Sequence, residues 1–386
     1  MIFGDRDKLL PSFVPRELPY REEQAAELLR YFSNALEDPD GSSIKFYQII
    51  GPVGSGKTVT VLRFGQLLES AARRKGVDVR HVYVNPRQHG STRLMLFRYI
   101  AQKVGPSIFS ASYAVEELIL ELLRYLNREK KHLILTFDEM DFFLAQSKEQ
   151  LVYNLTRLNE ALPGEHCGVL GVIFTARSRA YMKKLDQAEL SSLGAYHVEF
   201  SGYSAEQVHA ILEKRCYEAF SPGAVDGRTL RYIADVTASP PAGGDIRFAL
   251  SVLYNAGMLA ENRGTDRLSV EHVREVLGVL TPAVTEEEIS YLPDQEKLIL
   301  LALANGLKHS GSPYLTFDEL AAQAKAGGRG GREVPLRDLV KGVQDLQDRG
   351  IVEVRSLTEI GIPSVPAGAL ERFLDYLIPK LTDGGE

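Results

Sequence analysis

Between residues 22 and 36, apolar positions recur at helical spacing. Ala26, Leu29, Tyr31 and Phe32 share one face, and the turn residues of 38–41 close the element. Residues 45–50 read as a strand, 51–56 as a loop and 57–72 as a helix. Residues 77–84 form a second strand stopped by Asn85-Pro86. Residues 94–104 and 115–126 are helices, and 132–137, 168–175 and 196–200 are short apolar strands. The strands are not cleanly alternating, as expected when both faces are covered. Strands separated by helices need right-handed crossovers, so the pattern predicts an α/β, doubly wound parallel sheet.

After residue 204 the strands stop. Ser204 and Gln207 match a capping box ahead of a helix ending near 220, and 227–236, 246–262 and 269–279 are further helical stretches. This is a small all-helical domain. The Thr281-Pro282 step reads as a linker, and the acidic run Glu286, Glu287, Glu288 as a solvated helix start, where negative charge is favourable. Residues 295–307, 317–324 and 335–348 read as three helices, 351–355 as a strand and 367–377 as a last helix. Three helices followed by a β element is the order of a winged helix-turn-helix. The expected domains are 1–202, 203–281 and 282–386.

Composition narrows the function. The 386 residues are 44% hydrophobic and 25% charged, ordinary for a globular protein. No run reaches membrane-spanning length and no secretory h-region opens the chain, so a cytoplasmic, nucleoid-associated protein is expected. Cys167 and Cys216 stand far apart in no C-x-x-C pattern and read as small buried side chains. The histidines are scattered, so no metal beyond a nucleotide's magnesium is expected. A net charge of −6 argues against nonspecific coating of nucleic acid, so any DNA contact must be a local patch.

Gly51-Pro52-Val53-Gly54-Ser55-Gly56-Lys57-Thr58 matches G-x-x-x-x-G-K-[ST] between a strand and a helix. The glycines let backbone N–H groups turn toward phosphate oxygens, and the helix N-terminus adds positive potential. Lys57 is expected on the β- and γ-phosphates and Thr58 on magnesium, with Val59 next on the helix in the nucleotide-binding set. The strand 133–137 leads to Asp138 and Glu139, a Walker B pattern. Asp138 would hold the magnesium shell, partly through water, and Glu139 would polarise the attacking water. Asp141 reads as exposed surface. The strand 168–175 ends in Ala176-Arg177-Ser178, where Ser178 or Thr175 would face phosphate or water. Gly244-Asp245-Ile246-Arg247 starts a helix with Asp245 as its cap and Arg247 in the first turn, where the dipole disfavours a cation unless it serves a phosphate.

Together these motifs resemble the AAA+ replication initiators. Among them the match is to the archaeal family related to the eukaryotic origin recognition complex and its cell-division-control helicase loader. Phe13-Val14-Pro15-Arg16-Glu17-Leu18-Pro19-Tyr20-Arg21-Glu22 resembles that family's adenine-pocket box, and Tyr203-Ser204-Ala205-Glu206-Gln207 the start of its lid. The resemblance implies a P-loop AAA+ core, a helical lid and a winged-helix domain. It implies an ATPase that binds ATP and ADP; because residues 187–192 carry no arginine to serve as a finger, slow turnover is expected, with ATP mainly a conformational switch. It further implies binding of origin duplex DNA, recruitment of a minichromosome-maintenance-type helicase, and contact with related initiator subunits. Val14, Pro15 and Leu18 would wall the adenine, Arg21 and Tyr203 join the nucleotide-binding set, and Arg247 would act as sensor 2 beside the catalytic Lys57 and Glu139. The helix pair 93–104 and 115–126 occupies the place of the family's initiator-specific insertion.

Three departures stand out. The sensor 1 position, usually Asn, falls on Ser178. Residues 187–192 carry no arginine where the family often places its finger, a group worth about 10³–10⁵ in rate in related NTPases. The stretch 357–366, taken as the wing, is apolar and lacks a Gly/Arg/Thr-rich tip. DNA contacts are expected from Lys325, Arg329, Arg332, Arg337 and Lys341, around the Gly/Arg-rich patch 326–332 and the start of the third winged-domain helix. Two other readings stay open: a nucleotide-gated ATPase in transcription control or signalling, and a winged helix that docks a protein.

Overall fold

The computed structural model describes all residues except 106–112, 148, 195, 281–284, 327–334, 356–357, 364 and 383–386. The chain forms two units: Val14–Tyr203, and Met1–Phe13 together with Ser204–Glu386.

The first unit is built on strands β1 (Lys45–Ile50), β2 (Asp78–Val84), β3 (Lys131–Phe137), β4 (Val169–Ala176) and β5 (His197–Glu199). They stand in the order β2-β3-β4-β1-β5, with every pair parallel. Each falls within one residue of its apolar run in the sequence. Both faces are covered, which explains the lack of alternation. Tyr47, Ile49, Ile134 and Ile173 meet Phe64 and Leu68 of helix Lys57–Arg74 on one side. Phe46, Ile50, Leu135, Phe137, Val172 and Phe174 meet Phe97 of helix Arg93–Val104 and Leu122 of helix Val115–Arg128 on the other. Each of these buried side chains stabilises the unit by about 1.5–3 kcal/mol. Two short helices, Met140–Gln146 and Leu151–Thr156, lie where the pattern gave no element. Neither has a side-chain N-cap, so the usual start signal is missing.

In the second unit, helices Ala205–Ala219, Gly227–Ala238 and Ile246–Asn262 start at the capping side chains of Ser204, Asp226 and Asp245. Helix Val270–Leu280 completes the set. The start of the chain packs here. The amides of Gly4 and Asp5 donate to the Ala219 carbonyl, and Phe3 lies 4.6 Å from Phe220 between ring centroids. The acidic run opens a short helix, Glu286–Ser290, with a Thr285/Glu288 capping box, while the Thr281-Pro282 step lies outside the described residues.

Helices Asp294–Ser310, Phe317–Ala326 and Leu336–Asp348 share one core with a three-stranded antiparallel sheet and helix Ala367–Thr382. The strands are β6 (Leu315–Thr316), β7 (Glu353–Arg355) and β8 (Glu359–Gly361), in the order β6-β8-β7. This corrects the reading of residues 357–366 as an atypical wing. Most of that stretch is the central strand and its continuation, and Ile360 and Ile362 are each 1% exposed. Its apolar character is that of a core strand. The turn joining β7 to β8 includes residues 356–357, outside the described set.

Charged and polar groups tie the winged sheet to the helical domain. Arg355 of β7 pairs with Asp235, which also meets Arg231 at 3.1 Å. The Tyr232 hydroxyl donates to the Pro363 carbonyl at 2.9 Å, and Arg274 donates to that of Pro313 at 2.9 Å. The Glu271 carboxylate accepts from the Ala367 amide at 2.9 Å. Burial raises the Glu353 carboxyl and the Tyr314 phenol above their ordinary pKa ranges. Among the described residues, no helix is long and apolar enough to cross a membrane.

Asp235→Ala leaves two guanidiniums without their shared acceptor. Because both arginines are partly solvated, the expected cost is about 2–4 kcal/mol. Calorimetry of the full chain should show an earlier unfolding transition, with Asp235→Asn in between.

Candidate nucleotide-binding site

Ligands of open parallel sheets sit beyond the carboxyl ends of the strands, and there the Walker motifs meet. The P-loop leaves β1 and turns into helix Lys57–Arg74 at Gly56, whose φ of 90° is left-handed. A methyl group there would strike the Tyr203 hydroxyl, and one on Gly51 would strike the Phe200 carbonyl. Gly56 gives this helix no side-chain cap, so its first amides keep their donor capacity for an anion. Lys57 Nζ donates to the carbonyls of Gly51 (2.6 Å) and Pro52 (2.7 Å), which folds the side chain over the loop. Ser55 is fully buried, its hydroxyl donating to the Pro52 carbonyl, while Pro52, Val53 and Thr58 are exposed.

Asp138 is 2% exposed and gathers donors from three elements. Thr58 Oγ1 donates to its Oδ2 at 2.8 Å, Tyr83 OH donates to the same oxygen at 2.5 Å, and Thr175 Oγ1 donates to Oδ1. The sheet register explains the last contact. Phe137 of β3 pairs with Phe174 of β4, so the next residues, Asp138 and Thr175, are neighbours. Burial and the Asp138 charge push the Tyr83 phenol far above its usual range, so it is a donor at any physiological pH.

Glu139 takes a left-handed backbone at φ 56°, a strain of about 1 kcal/mol for a non-glycine residue. Its amide donates to Thr175 Oγ1 at 3.2 Å, and its carboxylate pairs with Arg87. Arg87 lies 4.1 Å over the Phe142 ring. Neither Tyr83 nor Arg87 stands out in the sequence as a site residue. Their signal was topological: β2 borders the Walker B strand, so the residues ending β2 face Asp138 and Glu139.

Arg21 acts as a clamp. Its guanidinium donates to the carbonyls of Ser55 (2.9 Å), Tyr20 (2.8 Å) and Ser201 (2.8 Å), and stacks 4.1 Å over Tyr203. Burial pulls its pKa down and raises that of Tyr203. Arg21 therefore joins the adenine-box segment to the P-loop and to the last strand's exit. All three of these hydrogen bonds go to backbone carbonyls, so Arg21 positions the loop. Pro15 and Leu18 are buried, and Val14 and Val59 half-buried.

Other expected residues are placed differently. Ser178 is exposed and caps a short 3-10 turn by accepting from the Ala180 amide, whereas Thr175 touches the Walker B carboxylate. Asp141, read as exposed, is half-buried beside Arg177 at 3.5 Å. Residues Gln187–Leu193 form a helix started by an Asp186/Glu189 capping box. In the second unit, Asp245 caps its helix as expected, and Arg247 is 53% exposed beside it. Arg337 and Lys341 are exposed on helix Leu336–Asp348, as is Lys325 on the helix before, while Arg329 and Arg332 lie outside the described residues.

Known proteins share these features. Residues 209–277 match the family described as the Cdc6 AAA+ ATPase-type lid domain, and residues 41–182 match the AAA domain family. An ORC1-type DNA replication protein 1 from Aeropyrum pernix is 32% identical over 361 residues, covering 92% of this chain and 88% of that protein. The crystal structure of Cdc6p from Pyrobaculum aerophilum superposes with a TM-score of 0.81 at 28% identity, covering 99% of this chain and 100% of that one. The Aeropyrum pernix ORC1 protein in complex with DNA gives a TM-score of 0.64 at 30% identity, covering 98% and 99%. With a parallel AAA+ sheet, a Cdc6-type lid and a winged-helix domain in one chain, this protein belongs to the ORC1/Cdc6-type family of AAA+ DNA replication proteins.

Proposed function

We propose that this protein is a replication initiator that binds origin duplex DNA under the control of ATP and helps recruit the replicative helicase. The observation that carries the nucleotide half is the meeting of Thr58 and Asp138 below an uncapped helix N-terminus. The Lys57 ammonium and the free amides suit the β- and γ-phosphates of ATP. Thr58 and Asp138 supply the hard oxygen ligands that magnesium takes with water, and the ion would neutralise phosphate charge. Val14, Pro15 and Leu18 would line the adenine, and Arg247 would bring the lid's positive charge to the γ-phosphate.

Turnover in this reading is slow. Glu139 is the base that orients water, yet Arg87 holds its carboxylate. No arginine stands in the Gln187–Leu193 helix to serve as a finger. ATP then works mainly as a switch, and a related initiator subunit is the natural source of a missing cation.

The DNA half rests on helix Leu336–Asp348. Leu339, Gly342, Val343 and Leu346 are buried, which leaves Leu336, Arg337, Val340, Lys341 and Gln344 together on the exposed face. That face mixes cation, amide and apolar groups, the chemistry that reads phosphates, base edges and thymine methyls in a major groove. The structure of a relative of 30% identity, the Aeropyrum pernix ORC1 protein, is a complex with DNA. Residues 359–361 are the central strand, and the apolar character of Ile360 is that of a core position, which says nothing against DNA binding. Mapping of chromosomal footprints tests the proposal. Clusters beside replication genes support it, and scattered promoter sites overturn it in favour of transcription control.

Lys57→Ala should raise the ATP Kd roughly ten- to a hundredfold, the worth of one charge-assisted contact. Glu139→Gln should keep ATP affinity and slow hydrolysis by about 10²-fold or more. Arg87→Ala should speed single-turnover hydrolysis several-fold, and an unchanged rate would remove Arg87 from the control of Glu139. On DNA, Lys341→Ala should shorten the slope of log affinity against log salt by about one with little change in sequence preference. Arg337→Ala, in the first turn, should cost about 1–3 kcal/mol and relax the preference at one base pair.

A further inference from the structure

The order of the central sheet brings together three residues that are far apart in sequence. Adjacent parallel strands β3, β4 and β1 all start at the edge opposite the nucleotide site. His132 is the second residue of β3, His166 lies just before β4, and Asp40 sits in the turn that leads to β1. We propose that Asp40, His132 and His166 bind a divalent first-row transition-metal ion of the zinc type.

One ligand atom from each residue lies within 4.8 Å of the other two. Asp40 Oδ1 is 3.9 Å from His132 Nε2 and 3.9 Å from His166 Nδ1. A tetrahedral ion with bonds of about 2.0–2.2 Å spaces its ligands roughly 3.4 Å apart, so the two Asp40 contacts close by about half an ångström and the ligand nitrogens of the two rings, within 4.8 Å of each other, approach by up to about 1.4 Å. Asp40, whose side chain is 84% exposed, closes its own two contacts, and the two imidazoles approach each other by side-chain rotation. Its turn is held by Asp38, which accepts from the Gly41 amide and the Ser42 hydroxyl, so Asp40 is not needed for that fold. His132 is fixed by its strand and 9% exposed at the side chain. His166 is fixed by the next residues, since the Leu133 amide donates to the Gly168 carbonyl at 2.8 Å.

His166 Nδ1 now accepts from the Gly168 amide at 3.0 Å. Coordination replaces that neutral hydrogen bond with a stronger metal–nitrogen bond. His132 Nδ1 and His166 Nε2 are buried without a hydrogen-bond partner. These are the nitrogens turned away from the ion, so coordination through His132 Nε2 and His166 Nδ1 leaves them as N–H groups, and the rings are oriented by their backbone and not by a second hydrogen bond. The donor set selects the ion. Two imidazole nitrogens and one carboxylate suit zinc, cobalt or nickel, and not magnesium or calcium, which prefer all-oxygen shells. The solvent side of Asp40 leaves room for a water as fourth ligand. Bound there, the ion straps the starts of three strands. It lies about 20 Å along β3 from Asp138 and stays out of the nucleotide chemistry.

The test uses the full chain, stripped of metal and held in excess magnesium and ADP so that the P-loop is filled. Titration with Co²⁺ should give the visible absorption of a tetrahedral nitrogen–oxygen site, at one ion per chain, displaced by Zn²⁺. Zn²⁺ should also raise the Tm. Asp40→Asn, a surface change that spares the turn, should weaken Co²⁺ binding by more than about tenfold and cancel the Zn²⁺ effect on Tm, and His166→Gln should do the same. ADP binding should be unchanged in both variants. Absence of the cobalt spectrum in the parent chain, or equal binding by the parent and Asp40→Asn, overturns the proposal.

Discussion

The Asp138 carboxylate holds the nucleotide end of the sheet together. It sits almost out of water, where an ionised group is tolerated only if its lone pairs are used. Hydroxyls from the P-loop helix, from β2 and from β4 use them. The donors are not equivalent. Tyr83 and Thr175 belong to strands that cannot move without disturbing the core. Thr58 belongs to the first turn of a helix and points at the same oxygen from the side on which a nucleotide would arrive. One carboxylate thus anchors the sheet's edge and keeps one hydroxyl ready to share.

Arg21 solves a different problem. Its charge is spent on three backbone carbonyls, so it holds the P-loop's outer wall whether or not a ligand is present. The Arg87–Glu139 pair is neither fixed nor exchangeable by packing alone. It joins two surface-accessible side chains, at 46% and 27% exposure, one of which is the proposed base. Of the three ionic arrangements around the site, this is the one a small change in surroundings can reverse.

Much of this was legible in the chain. Five apolar runs located five strands because a strand buried on both faces must be apolar throughout, and the caps Ser204 and Asp245 fixed helix starts because their side chains have one favourable use. The P-loop and Walker B residues were legible because phosphate and magnesium chemistry constrains spacing within a few residues. Contacts set by strand order were not. Tyr83, Arg87 and Thr175 reach Asp138 and Glu139 through lateral neighbours, and the meeting of Asp40, His132 and His166 has the same origin. The error over residues 357–366 came from reading apolar character by position: Ile360 and Ile362 are apolar because β8 is the middle strand.

The joint between the winged sheet and the helical domain bears on how such proteins diversify. Asp235, Tyr232, Glu271 and Arg274 on one side meet Arg355, Pro363, Ala367 and Pro313 on the other, and several of these groups are out of water. A DNA reader attached by a loose tether can be exchanged between relatives by cutting the tether. Here an exchange would strand charges on a dry surface. In the proposed reading, new specificity is therefore easier to acquire by changing exposed residues of helix Leu336–Asp348 than by recombining whole modules. A graft that does succeed would carry the matching face of the helical domain with it.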